Sequence, residues 1–392
     1  MRAGQDCDTM NPIRIGLLFI PLCLTVIIWI FKGAFFMNES RIERVLENMQ
    51  KYGLEQAVIT STSSVYYLTG IWVEPLERML ALYLNTRGDR VLFGNYLFGL
   101  PEQEGAKLLQ HSDSDNPVQD LAQTVLPGKL GIDKMWPSKF LIGLTQLRPD
   151  IVPVLGSAPV DDARMLKDAQ EIEAMRYSSR INDQAVEAAI SLVCEGVRET
   201  DLTTKVEEFY RNHGADHSSE GQLVCFGKNG SDPHHAANDT VIQEGDSVTF
   251  DIFIPFHRYW CDMTRTVFFK KVSEEQRRVY ETVKKANLSA IASVRPGVAL
   301  REFDRAARSV IEDAGYGPFF THRLGHGAGL DCHEMPDVSS SSETIAKPGM
   351  VFSIEPGIYL PGKFGVRIED LVLVTEDGCE VLNNASKELR IV

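Results

Sequence analysis

Two pairs of apolar runs decide the fold of this chain: SVTFDIFIPF (residues 247–256) with WCDMTRTVFF (260–269), and MVFSIEPGIYL (350–360) with GVRIEDLVLV (365–374). Each pair predicts two paired β-strands. Helical patterns lie around the strands, at residues 168–194, from Ser273 to a stop before Pro296, and at residues 300–314. Inner hairpins and outer helices predict an α+β fold rather than a doubly wound sheet.

Four carboxylates interrupt these runs or stand beside them, namely Asp251, Asp262, Glu355 and Glu369. A carboxylate that is buried without a partner is costly, so each needs a cation or a proton. The first two are 11 residues apart across one hairpin, and the last two are 14 apart across the other. The two hairpins can therefore point all four into one centre. Taken singly, each acid also fits a surface position on an amphipathic strand.

An imidazole is available for the same centre. His326 lies in the run GHGAG (325–329), where small residues let backbone and ligand approach closely. Oxygen ligands with one imidazole suit a pair of divalent Mn, Fe, Co or Zn ions. Such a pair lowers the pKa of water and stabilises a tetrahedral intermediate, so the pattern predicts a hydrolase.

The upstream half predicts a separate α/β domain. The runs LEQAVITS (54–61), MLALYLN (79–85), RVLFGN (90–95) and KLGIDK (129–134) are typical of strands. The segment APVDDA (158–163) then predicts a linker. We therefore divide the chain into an extension at residues 1–36, an N-terminal domain at 37–160 and a catalytic domain at 161–392.

Residues 15–31 carry no charge, and at 17 residues they are at the lower limit for spanning a bilayer. One alternative is a membrane anchor with the catalytic part in the cytoplasm. The favoured interpretation is a dispensable extension or an over-called start, because Met37 opens a plausible first helix of a soluble domain. That helix would have a capping box at Ser40 and Glu43 and would end at Gly53.

Composition excludes some classes of function. The 392 residues include 40 Lys and Arg and 54 Asp and Glu, a net charge of −14. This acidic balance argues against nucleic-acid binding, because phosphate backbones attract basic surfaces. The seven cysteines form no C-x-x-C pair, so neither a disulfide framework nor a zinc knuckle is predicted. A reducing, cytoplasmic compartment fits best.

Several stretches together resemble the pita-bread metallopeptidases, which include Xaa-Pro dipeptidase (prolidase), Xaa-Pro aminopeptidase and methionine aminopeptidase. They are PHHAANDTVIQEGDSVTFD (233–251), YWCDMTRTV (259–267), HRLGHGAGLDCHEMPD (322–337), FSIEPGIY (352–359) and GVRIEDLVLVTEDG (365–378). Upstream, YYLTGIWVEPLERMLAL (66–82) and ARMLKDAQEIEAMR (163–176) resemble the N-terminal domain and domain junction of the proline-specific branch. The resemblance implies a pita-bread catalytic domain preceded by a creatinase-type domain.

The resemblance also implies a metal-binding role for each of five residues. Asp251 would bind one metal ion, and Asp262 and Glu369 would bridge both ions. His326 and Glu355 would complete the shell of the other ion. Mn is the metal expected, with Co, Zn or Fe as alternatives.

The resemblance implies roles at the substrate for three further histidines and one arginine. His234 would face it near the scissile amide, with His235 as the alternative. His333 would hydrogen-bond the scissile carbonyl or the developing oxyanion. His322 would border the proline pocket, or be a plain loop histidine. Arg367 would orient Glu369, hold a substrate carboxylate, or simply pair with an acid.

The N-terminal domain of this branch usually shapes the substrate cleft from a partner subunit, which implies a homodimer. Trp72 and Arg78 are the candidates for that wall, with packing inside the N-terminal domain as the alternative. One residue departs from the family pattern. Phe253 lies two residues after Asp251, at a position where the family usually has Gly. This departure puts the substrate preference in doubt more than it does the binding of metal.

The predicted activity is hydrolysis of Xaa-Pro dipeptides or short peptides through a hydroxide that bridges two metals. A dipeptidase is favoured over an Xaa-Pro aminopeptidase that acts on longer peptides. A creatinase-like amidinohydrolase or a C–S lyase on the same fold is a rival, and so is an inactive relative that only binds. Inactive relatives typically lose metal ligands, whereas all five are present in this chain.

Overall fold

The computed structural model describes residues 35–216 and 221–392. Up to residue 155 the elements are β1 (Phe35–Phe36), α1 (Glu39–Lys51), β2 (Gln56–Ile59), α2 (Thr62–Thr69), β3 (Ala81–Asn85), β4 (Arg90–Asn95), β5 (Gln103–Glu104), β6 (Lys107–His111), α3 (Gln119–Thr124), β7 (Gly128–Ile132), α4 (Ser138–Leu147) and β8 (Ile151–Leu155). Six strands form one sheet in the order β6-β4-β3-β2-β7-β8. The four strands predicted for this region are confirmed as β2, β3, β4 and β7, whereas β6 and β8 were not predicted.

Two local predictions in this region are wrong. Helix α1 is capped by Asn38, whose side chain accepts a hydrogen bond from the Arg41 backbone N–H at 3.2 Å. Because the helix begins at Glu39, Ser40 already lies in its first turn and donates its hydroxyl to the Asn38 side chain instead. The segment predicted as a linker forms a helix at Ala158–Met165, since its proline occupies the first turn, where no backbone N–H is needed. The division of the chain after residue 160 stays a prediction.

The remaining elements lie in the C-terminal half of the chain: α5 (Ala158–Met165), α6 (Ala169–Ser191), α7 (Glu199–Asn212), β9 (Leu223–Phe226), β10 (Ser247–Phe256), β11 (Tyr259–Phe268), α8 (Glu274–Ser293), α9 (Leu300–Asp313), β12 (Gly325–Gly327), β13 (Glu334–Val338), β14 (Val351–Ile354), β15 (Gly357–Leu360), β16 (Phe364–Arg367), β17 (Asp370–Val374) and β18 (Cys379–Val381). Their sheets have the orders β11-β10-β9, β13-β12-β14-β17-β18 and β15-β16.

The predicted helices are confirmed as α6, α8 and α9. Asp168 caps α6, and Ser273 and Gln276 form the predicted capping box at the start of α8. Apolar side chains of α8 and α9 pack against strands β13 to β17, and α6 packs on β10 and β11. Helices therefore cover inner strands, as the α+β prediction requires.

The first predicted hairpin is confirmed, because β10 and β11 pair antiparallel along their whole length. The second pair is split between two sheets. β14 pairs with β17, whereas β15 pairs with β16. The break falls at Glu355 and Pro356 on one arm and at Ile368 and Glu369 on the other. Proline has no N–H to donate to a ladder, which explains why the first arm is interrupted there.

A buried ion pair lies between β11 and β17. The Arg265 guanidinium, 2% exposed, contacts Asp370 Oδ1 at 2.8 Å and donates to the Glu369 carbonyl at 2.6 Å and the Thr264 carbonyl at 2.9 Å. Asp370 also accepts from the Asn287 side chain. Side chains alternate along a strand. The Arg265 and Asp370 side chains therefore lie on the opposite face from the side chains of Thr264 and Glu369.

Among the residues that the structure describes, no helix has the length and apolar character needed to cross a bilayer. The apolar run at 15–31 lies outside the described residues, so the alternatives for it stay predictions.

Candidate active site

The hairpin of β10 and β11 places the first two carboxylates. Asp251 is the register partner of Thr264, and Phe253 is the partner of Asp262. Alternate residues of a strand share one face, so these four side chains point the same way. Asp251, Phe253 and Asp262 line a cavity of about 470 Å³.

The ends of two other strands place the second pair. Ile354, the last residue of β14, is the register partner of Asp370, the first residue of β17. Glu355 and Glu369 directly adjoin this pair, so they leave the sheet at the same end. Both line the same cavity as Asp251. The pairing of the second hairpin was predicted wrongly in detail. All four predicted acids line this one cavity.

His326 lies on β12 between two glycines that have no room for a side chain. A Cβ on Gly325 would come 2.0 Å from the Ser353 carbonyl oxygen, and one on Gly327 would come 2.3 Å from that of Met335. The imidazole Nδ1 is 3.2 Å from the Gly327 carbonyl. An N–H at Nδ1 leaves the lone pair of Nε2 facing the acids, as a metal ligand requires.

The imidazole and the acids are close together. His326 Nε2 is 3.4 Å from Glu355 Oε1 and 3.7 Å from Asp262 Oδ2. One ligand atom each from Asp262, His326 and Glu369 all lie within 4.8 Å of one another. Asp251 and Glu355 line the cavity outside this three-residue cluster.

The electrostatics of the cavity favour bound cations. Burial, followed by repulsion from neighbouring acids, raises the pKa of Asp262 and of Glu369 well above the ordinary values. Burial also raises the pKa of Glu355 to about 7 and lowers that of His326 to about 3, so the imidazole is neutral. Asp262 Oδ1 is buried without a hydrogen-bond partner. An unpartnered carboxylate oxygen beside a neutral imidazole fits a divalent metal ion.

Arg367 is a buried cation of the protein that lies beside the acids. Its guanidinium is 5% exposed and pairs with Asp251 Oδ2. Its Nε donates to Thr264 Oγ1 at 3.1 Å, and that hydroxyl donates to Glu369 Oε2 at 2.7 Å. The predicted link from Arg367 to Glu369 therefore runs through Thr264, which sequence reasoning missed. Thr264 lies two residues after Asp262 on the same strand face, and this spacing is the sequence signal that could have identified it.

The histidines near the cavity differ in their exposure and in their contacts. His234 is exposed and lines the cavity, whereas His235 places Nε2 2.9 Å from Glu199 and does not line it. His333 is exposed, lines the cavity and stacks edge-on against His326 with ring centroids 4.0 Å apart. These positions favour His234 over His235.

His322 lines the cavity too, but both its ring nitrogens have protein partners. Nδ1 is 2.6 Å from the Arg323 carbonyl, and Nε2 is 2.9 Å from the Tyr359 hydroxyl. That hydroxyl accepts from Arg367 at 2.7 Å. Burial lowers the pKa of His322 to about 4. Sequence reasoning missed Tyr359, and also Arg323 and Cys332, which line the cavity.

Trp72 and Arg78 do not line this cavity within the chain. They line a second cavity of about 470 Å³, and His333 borders both. The Trp72 ring lies under the Arg258 guanidinium at 4.6 Å, and Arg78 pairs with Asp113 at 2.9 Å. Within one chain, their contacts are those of packing, and a role towards a partner subunit stays a prediction.

Known proteins resemble the chain over almost all of its described length. Residues 173–376 match metallopeptidase family M24, and residues 41–166 match the creatinase/prolidase N-terminal domain. An uncharacterized peptidase of Staphylococcus aureus (strain USA300) is 34% identical over 362 residues, covering 89% of this chain and all of that protein.

Solved structures give the same result. The prolidase from Thermococcus sibiricus is 36% identical with a TM-score of 0.85, and the match covers 90% of this chain and 99% of that one. The dipeptidase from Pyrococcus horikoshii OT3 is 33% identical with a TM-score of 0.84, covering 90% and 100%. The predicted pita-bread architecture with a creatinase-type N-terminal domain is thereby confirmed. The chain belongs to metallopeptidase family M24, in its Xaa-Pro peptidase branch.

Proposed function

We propose that the chain is an Xaa-Pro dipeptidase that depends on two divalent metal ions. The observation that carries the proposal is the close group of ligand atoms from Asp262, His326 and Glu369 in a cavity that two more carboxylates line. The two solved structures described above are a prolidase and a dipeptidase, which supports the same class of substrate.

Five residues would hold the ions, with Asp262 and Glu369 as the ligands shared between them. Arg367 engages only Oδ2 of Asp251, so Oδ1 stays available for a metal. Oxygen-rich sites with one imidazole accept Mn, and also Co, Zn or Fe. Bound there, the ions would supply Lewis acidity towards the scissile carbonyl and lower the pKa of a water molecule.

The protein's own groups would move the proton and stabilise charge. Glu355 would take a proton from the attacking water and return it to the proline nitrogen when the C–N bond breaks. His333 and His234, both exposed at the cavity, would donate hydrogen bonds to the oxyanion that develops on the carbonyl. Water would thus be divided between the new carboxylate and the released imino acid.

Recognition of proline would depend on shape. The amide before proline has no N–H, so it offers few hydrogen bonds to read. His322 would present a fixed apolar ring face, because Arg323 and Tyr359 hold both its nitrogens. Phe253 would narrow the cavity on the side of Asp262.

A peptide panel tests the function. The protein is loaded with Mn, and release of the N-terminal leucine is measured for Leu-Pro, for Leu-Pro-Ala-Ala and for Leu-Ala. We expect Leu-Pro to be cleaved most efficiently and Leu-Ala least. Faster cleavage of the longer peptide would instead identify an Xaa-Pro aminopeptidase. Absence of cleavage of every Xaa-Pro peptide with Mn or Co would reject the peptidase proposal.

The assembly is also a proposal. We infer a homodimer in which the N-terminal domain of one subunit, through Trp72 and Arg78, forms a wall of the other subunit's cleft. Light scattering after size-exclusion chromatography measures the assembly state. A monomer that cleaves Leu-Pro at full rate would contradict the shared wall.

A further inference from the structure

The short connection between β12 and β13 carries His333, and an acid lies on each side of it. Asp331 is two residues before His333, and Glu334 directly follows it. Both acids pair with cations, one in the last turn of α5 and one in the connection from α5 to α6. The cations are Arg164 and Lys167.

These contacts are short, and those of Glu334 are almost entirely removed from solvent, whereas the Asp331 side chain is 44% exposed. Arg164 lies 2.7 Å from Asp331 Oδ2 and also pairs with Glu334 Oε2. Lys167 Nζ lies 2.7 Å from Glu334 Oε1. The side chains of Arg164, Lys167 and Glu334 are 5%, 1% and 8% exposed. Glu334 therefore has a cation on each of its two oxygens.

Further contacts fix the same network to the N-terminal half. The Arg164 guanidinium donates to the hydroxyls of Ser63 and Ser64 on α2 at 3.0 and 3.1 Å. Ser63 in turn donates to Asp331 Oδ2 at 2.9 Å. A Cβ at Gly329 would lie 2.5 Å from Glu334 Oε1, so that carboxylate packs directly on the backbone of the loop.

A buried network of this kind contributes little net stability, because desolvation offsets most of the Coulomb attraction. The network instead determines the positions of the segments that carry its charges, because each buried charge must keep its partner. In this chain the network determines the geometry of the 331–334 loop, which holds the His333 ring 4.0 Å from the His326 ring.

We propose that Arg164 and Lys167 are positioning residues that act through the 331–334 loop to hold His333 at the reacting carbonyl. Neither touches the cavity that the carboxylates line. The proposal rests on the proposed function of His333. It makes the packing of the N-terminal half on this loop part of catalysis, even within one chain.

A double-mutant cycle tests the proposal. The turnover number kcat for Leu-Pro is measured for the wild type, Lys167→Met, His333→Ala and the double variant, all loaded with Mn. Displacement of a positioned group by about 1 Å costs on the order of 100-fold, so we expect Lys167→Met to lower kcat by about 10- to 100-fold. In the His333→Ala background, the same change should cost less than about twofold.

The matched control is Arg41→Met. Arg41 is also a nearly buried cation that joins the two halves, 2.9 Å from Asp168 and 3.5 Å from Glu171, but it does not contact the 331–334 loop. We expect it to lower the melting temperature without changing kcat. Equal, additive losses of kcat for Lys167→Met with and without His333 would overturn the proposal.

Hydrogen exchange read by mass spectrometry tests the loop without turnover. We expect amides of residues 329–335 to exchange faster in Lys167→Met than in Arg41→Met. Unchanged exchange there would overturn the proposal even if activity fell. A wild-type kcat in His333→Ala would reject the role proposed for His333, and absence of Leu-Pro cleavage by the wild type would reject the proposed dipeptidase activity. In either case, hydrogen exchange alone would decide whether the cations hold the loop.

Discussion

Removal of the metal should make the stability of this protein depend on pH through Glu355. Burial raises the pKa of Glu355 to about 7, against an ordinary value of 4.5. At about 1.36 kcal/mol for each tenfold change in an ionisation constant, this difference corresponds to about 3 kcal/mol. The side chain is only 16% exposed, so solvent screens little of it.

The sign follows from which state holds the proton more tightly. The folded metal-free protein binds the Glu355 proton more tightly than the unfolded chain does. Its contribution to stability is therefore complete below pH 4.5 and is lost as the pH rises through about 7. Most of the loss falls between about pH 5 and pH 8.

Urea unfolding followed by circular dichroism, in EDTA at pH 5 and at pH 8, measures this loss. Between these pH values we expect the free energy of unfolding to fall by about 3 kcal/mol more in the wild type than in Glu355→Gln. Glu376→Gln, at an exposed position, is the matched control and should behave like the wild type. Mn should abolish the difference, because metal ions replace the proton. The same pH dependence in the wild type and Glu355→Gln would refute the argument.

Three more outcomes are expected. Asp262→Ala or Glu369→Ala should abolish cleavage of Leu-Pro and lower the metal content measured by elemental analysis, with an unchanged circular dichroism spectrum; near-normal rates would mean that the bridging roles are misassigned. Phe253→Gly should enlarge the cavity and raise the kcat/KM ratio of Phe-Pro over Ala-Pro by about tenfold or more, whereas an unchanged ratio places Phe253 away from that subsite. Glu199→Gln weakens the contact to His235, which neighbours His234, so kcat should fall about tenfold at constant metal content; loss of metal would point to a different role.

The candidate ligands could be predicted from the sequence because each breaks a local pattern. Asp251 and Glu355 interrupt apolar runs, and His326 is flanked by glycines. Such features are visible within about ten residues. The α+β class could be predicted for the same reason, since apolar periodicity is local.

The residues that support the ligands could not be predicted in this way. Thr264 and Tyr359 are ordinary strand residues, and their importance comes from Arg367, which is distant from Thr264 in the sequence. The cap of α1 was misplaced because Asn38 and Ser40 are both good caps, and only the observed start of the helix distinguishes them. Residues 158–163 were interpreted as a linker although a proline also fits the first turn of a helix, and the packing of Val160 and Ala163 into the core appears only in the folded chain.

The Arg265–Asp370 pair has a practical consequence. These two side chains bind each other and neighbouring protein groups, and they join β11 to β17 on the face away from the cavity. We therefore expect the strands around the cavity to stay folded when the cations are removed, unlike a zinc finger, which unfolds without its ion. One purified batch can be stripped with a chelator, divided and refilled with different ions, so that the preferred metal is ranked on identical molecules.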